Sequence, residues 1–169
     1  MARTRTIGGY DGRGIGTRVP RSLPPVDESV ISEASDRLVE AVDAELAGWI
    51  ERRMRALDPD SATAGDVARA CADDTVRRLR DLLATDIDQQ RTTPLQVVRD
   101  AMAAPTEALA AAGVPQVRRD PRQLEVEPDD VYDLGPATWA DLGEDVGQAG
   151  LLWGAAKAMV HLRRHREEG

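Results

Sequence analysis

Phenylalanine is absent from this 169-residue chain, and Tyr10, Tyr132, Trp49, Trp139 and Trp153 are its only aromatic residues. The aromatic and β-branched runs from which a sheet is built are therefore missing. The core has to come from Ala, Leu, Val, Ile and Met, most of which favour helix. A single cysteine, Cys71, excludes an intrachain disulfide and fits a reducing compartment. Lysine is confined to Lys157, so the glycine-rich start cannot be a Walker loop, which requires G-x-x-x-x-G-K-[ST]. That start, TIGGYDGRGIGTRVPRSLPP over Thr6–Pro25, also places Gly12, Gly14 and Gly16 at the wrong spacing for a dinucleotide fingerprint, and no strand can precede it. Long hydrophobic runs are missing too. The most apolar window, Val146–Leu162, has 17 residues and contains Gln148 and Lys157, too short and too interrupted for a membrane span. Positive residues at the start are not followed by an apolar stretch, so no secretory signal is expected and a cytoplasmic location is.

What is present is charge, unevenly spread. The chain is 41% hydrophobic and 31% charged, with a net charge of −8. Arg3, Arg5, Arg13, Arg18 and Arg21 face only Asp11 within the first 25 residues, which leaves −12 for the rest. A basic arm on an acidic body is expected, two surfaces with different partners. Pro20, Pro24, Pro25 and five glycines exclude regular structure from residues 1–25, so the arm is read as extended. It could attract nucleic acid, which the body repels. Only Tyr10 could stack on a base there, so the platform of a single-strand binder is missing.

Residues 26–169 are expected to form one helical domain. A helix over 26–57 follows from Ile31, Ala34, Leu38, Val42, Leu46, Ile50, Met54 and Leu57, apolar at every third or fourth position. Its acids lie early and Arg52, Arg53 and Arg55 late, as the helix dipole favours. A second helix over 63–88 has Thr63 and Asp66 as a capping pair and Val67, Cys71, Thr75, Leu79, Leu82 and Leu83 inward. Asp73–Arg77 and Asp74–Arg78 are spaced as ion pairs on its wet face. A third, over 94–112, opens with Thr93 as cap, Pro94 in the first turn and Gln96 reaching back, is kinked or split by Pro105, and is stopped by Gly113 and Pro115. Residues 114–137, with prolines 115, 121, 128 and 136, are an irregular acidic crossing in which Leu124, Val126, Val131 and Leu134 could pin the chain to the bundle. The last helix, over 138–166, has a break between Gly143 and Gly150 and a stripe of Leu151, Leu152, Ala155, Met159 and Leu162, which its periodicity places inward.

Candidate chemistries are few. His161 and His165 stand four apart, on one helix face, as two metal ligands would, with Glu168 close by, but a third and fourth ligand would have to come from elsewhere and Arg163, Arg164 and Arg166 repel a cation. In the run EVEPDDVYD, Glu125, Glu127, Asp129, Asp130 and Asp133 could offer oxygen ligands to a divalent cation, or Asp129 and Asp133 could act as an acid–base pair, but the spacing is not that of a calcium loop, so a solvated or partner-facing loop is the plainer reading. Cys71, inward on its helix, reads as a small buried hydrophobe. The segment GEDVGQAGLLWGAAKA repeats small residues at a cost to helix stability of roughly 0.5–1 kcal/mol per glycine. Such a cost implies that another backbone comes close, either a helix of this chain or a second subunit.

The expected architecture is thus all-α, a bundle of about four helices with the basic arm and the acidic crossing. The expected function is non-enzymatic protein interaction, including self-association. Trp139, Gly147, Gly150, Trp153 and Gly154, with Asp129, Asp130 and Tyr132, would be the partner-binding residues. No cofactor is expected. The alternatives are a nucleic-acid or ribosome-associated factor using the five arm arginines, and a metal-binding helical enzyme using His161 and His165.

Overall fold

The computed structural model describes residues 28–114 and 134–168, and among them it contains five α-helices and no strand. Helix α1 spans Glu28–Leu57, α2 Ala64–Ala84, α3 Pro94–Ala101, α4 Ala103–Ala111 and α5 Glu144–Glu167, with short 3-10 turns at Ile87–Gln89 and Trp139–Asp141. The all-α bundle expected from the sequence is what forms. The third expected helix is divided into α3 and α4. The arm with Arg3, Arg5, Arg13, Arg18 and Arg21, and the crossing residues Asp129, Asp130 and Tyr132, lie outside the described residues. No helix among the described residues is long and apolar enough to cross a membrane.

Helix α1 is the central element. Ala34, Leu38, Val42, Leu46, Ile50 and Met54 of its stripe are buried, and Ile31 and Leu57 at the stripe's ends are half-buried. Ser35, Val39 and Trp49 add a second buried row, because α1 is covered from two sides, by α2 and by α5. The short link at 58–63 returns α2 beside α1, where Ala64, Ala68, Cys71, Ala72, Thr75, Val76 and Leu79 are buried. Thr75 is fully buried and satisfies its hydroxyl by donating to the Cys71 carbonyl at 2.6 Å. Two local expectations differ. Thr63 makes no side-chain cap to α2, and the wet-face ion pair that forms is Asp74–Arg77, three residues apart.

The start of α3 is as expected: Thr93 accepts the Gln96 backbone N–H at 3.3 Å and Pro94 lies in the first turn. Gln96 does not reach back but bonds forward to Asp100 at 2.6 Å. The helix breaks at Met102 and not at Pro105. Proline is tolerated in a helix's first turn, where its missing N–H has no intrahelical task, so the break falls three residues before it. That missing N–H would otherwise have bonded the Ala101 carbonyl. The carbonyl instead accepts the Cys71 thiol at 3.2 Å. Helix α4 ends with Gly113 at φ +85°, its N–H donating to Ala110 and that of Val114 to Leu109, both at 3.0 Å. This is the six-to-one and five-to-two pairing that a left-handed glycine permits.

Helix α5 runs antiparallel to α1. Gly143 sits against Glu45, while Leu152 and Met159 lie beside Val30 and Ala34. Leu134, Pro136 and Leu142 are buried on the way in. Its buried residues are Val146, Ala149, Gly150, Trp153 and Ala156, with Gly150 lying under Trp139. The stripe expected to be inward, Leu151, Leu152, Ala155, Met159 and Leu162, lies outside.

Candidate functional site

The glycine- and tryptophan-bearing segment is assembled first. Thr138 begins the Trp139–Asp141 turn, and the Asp141 carboxylate accepts the backbone N–H groups of Ala137 and Thr138, both at 2.8 Å. Those backbone bonds, that from Thr138 foremost, hold the Asp141 carboxyl below its ordinary range. The turn lies flat on α5. A Cβ at Gly150 would stand 2.2 Å from Trp139 Cδ1, and one at Gly147 would stand 3.1 Å from Ala140 Cα. Gly147 thus accommodates the backbone at Ala140 and Gly150 the side chain of Trp139, both of the same chain. Trp153 is buried, with Lys157 Nζ 5.2 Å from its ring centre. Gly154, by contrast, has nothing within 4 Å of where a Cβ would be.

A cavity of about 350 Å³ opens where the start of α1, the end of α2 and the end of α5 meet. Ile31, Val39, Leu83, Ile87, Trp153 and Val160 line it, with Ser35, Arg80 and Gln90 among its polar groups. Gln90 donates its amide to the carbonyls of Leu82 (3.3 Å) and Thr85 (3.1 Å), and its buried Oε1 has no partner among the described residues. At the rim Arg164 forks onto Asp86 with two bonds of 2.9 Å and also donates to Asp88. His161 Nδ1 lies 3.3 Å from Asp88. The Arg164 guanidinium holds Asp86 down to about 2 and is itself pushed up by both aspartates. Both groups stay charged at neutral pH, so neither is suited to move a proton.

The remaining sequence candidates are separate. His165 is exposed one turn beyond His161, and among the described residues no group of three or more His, Cys, Asp or Glu could hold a metal ion. Cys71 is buried between α2 and the α3–α4 break, and that burial pushes its thiol up. The Asp86–Asp88–Arg164 cluster was not legible in the sequence, since its members are 76 and 78 residues apart.

The third feature is the outer face of α5. Leu151 is 77% exposed, Leu152 52%, Leu162 57% and Met159 37%, with Val30 of α1 alongside at 42%. Between α1 and α5 a groove of about 260 Å³ is bounded by Val30, Ala34, Leu152, Ala155 and Met159, with Glu33 and Arg37 at its edge. Periodicity showed this stripe and turned it the wrong way. The signal for direction was the neighbouring Ala149, Gly150 and Ala156, small enough for close contact with α1 and the Trp139 turn. Comparison with protein-family models, with curated proteins and with solved structures finds no match for this chain.

Proposed function

We propose that this protein is a non-enzymatic, cytoplasmic interaction protein that docks another protein surface against the outer face of α5. One observation carries the reading: Leu151, Leu152, Met159 and Leu162 form a continuous exposed apolar row beside a groove. Single exposed leucines are ordinary, but a contiguous row marks a surface that is covered in use. Burying each such side chain is worth on the order of 1.5–3 kcal/mol, in a chain that has no phenylalanine to spare for its core. Trp139, Gly147, Gly150 and Trp153 support this surface from behind, and Gly154 lies at its edge. Asp129, Asp130 and Tyr132 are proposed as further contacts.

Affinity capture from native lysate tests this, with the full chain, a Leu152→Glu/Met159→Glu variant and a chain lacking residues 1–21. Protein captured by the full chain and lost from the double variant, with unchanged circular dichroism, supports the proposal. Equal capture by both overturns it. Capture of RNA that depends on residues 1–21 and weakens steeply with salt would instead favour binding through Arg3, Arg5, Arg13, Arg18 and Arg21.

A further inference from the structure

The spacing of the outer face specifies its occupant. Resting on the interaction reading above, we propose that α5 pairs with α5 of a second copy, antiparallel, about a two-fold axis at Ala155.

The residues that share this face follow from 3.6 residues per turn. From Ala155 the face continues four residues in each direction to Leu151 and Met159, then three to Gln148 and Leu162, then four to Glu144 and Arg166. All of them are exposed. The spacing reads the same from either end. An isologous contact between two identical helices requires this, since each side chain must meet the image of one at equal distance from the axis. Antiparallel pairing sets Leu151 against the second copy's Met159, and Gln148 against its Leu162. At the centre Ala155 meets Ala155, small enough for the helices to approach to the lower end of the usual ~8–10 Å.

Charge fixes the direction. Glu144 stands at one end of the face and Arg166 at the other, about 33 Å apart along the helix. Neither has an ion-pair partner among the described residues. Antiparallel pairing joins each to its opposite on the second copy, twice per dimer, and opposes the two helix dipoles. Parallel pairing would stack Glu144 on Glu144 and Arg166 on Arg166. The groove beside Val30 and Met159 lies under the position that the second copy's Leu151 takes, and Leu151 is the most exposed large apolar side chain described.

Sedimentation equilibrium of the full chain tests the proposal, with a concentration-dependent monomer–dimer equilibrium as the expected result. Glu144→Arg and Arg166→Glu should each weaken association at least about tenfold. An equimolar mixture of the two should restore it, since both cross-pairs then carry opposite charges. Ala155→Cys should oxidise to a covalent dimer. Leu162→Cys should not, because antiparallel pairing places the two copies of position 162 about 21 Å apart along the axis. A chain that stays monomeric overturns the second copy as occupant. If the Leu152→Glu/Met159→Glu variant still loses a different captured protein, the interaction reading survives that failure. A dimer that ignores the charge reversals, or that cross-links at position 162, overturns the antiparallel geometry.

Discussion

Gly150 and Gly154 lie one turn apart on α5 and meet opposite surroundings. A methyl group at 150 enters the space of the Trp139 ring, whereas one at 154 meets open solvent. Gly150→Ala is expected to lose roughly 1–3 kcal/mol through overpacking, despite alanine's better helix propensity. Gly154→Ala should gain roughly 0.5–1 kcal/mol by that propensity alone. Urea unfolding of the two variants checks both signs. Cys71 makes a different residue-scale prediction. Its thiol is buried, bonded to the Ala101 carbonyl and raised in pKa. It should therefore react with an aromatic disulfide reagent only as fast as the protein opens, and fully once unfolded. At Asp86 the direction of pH dependence follows from a folded pKa of about 2 against an ordinary 3.8. The lowered value means that the Arg164 pair contributes fully above the unfolded pKa and is lost as pH falls from about 4 to about 2. The difference in melting temperature between the natural chain and Arg164→Gln should be constant above about pH 5 and shrink across that window.

At the scale of the element, α1 and α5 show what periodicity conveys and what it leaves out. The stripe of α1 was legible because six of its eight apolar positions are buried on a helix covered from both sides. On α5 periodicity found a real apolar face and assigned it inward, yet the core contact is made by Val146, Ala149, Gly150, Trp153 and Ala156. The space against α1 and the Trp139 turn admits small residues and one tryptophan. Which face is covered depends on those distant surfaces, and no local pattern encodes them. The break at Met102 is a milder case: Pro105 announced an interruption, but where it falls depends on proline's tolerance for a first turn. Substitutions separate the two faces. Leu46→Ala, inside the bundle, should cost about 2–5 kcal/mol. Leu152→Glu/Met159→Glu should leave the stability of the monomer within about 0.5 kcal/mol per site. Thermal unfolding at low protein concentration measures both.

Across the whole molecule, the all-α architecture could be read from composition and spacing, because a chain so poor in aromatic and β-branched runs has little else to build with. The candidate surface was only half legible. Its position on the last helix was visible, and its relation to Val30 and the groove required the antiparallel return of α5 along α1. The cavity rim closed by Arg164 joins the end of α5 to the turn after α2, 78 residues earlier, and was invisible in one dimension.

The modest inner contact of α5 has a kinetic consequence. Of its five buried residues, two are alanines and one is glycine, so Val146 and Trp153 are the only large side chains among them that anchor this helix. Amide deuterium uptake should accordingly be graded: residues 146–160 exchange through a partial release of the last helix, while those around Leu38–Met54 exchange only with global opening. If the proposed pairing between copies holds that helix in place, dilution should hasten uptake in the first set alone, so the labelling rate would report the assembly state of the protein.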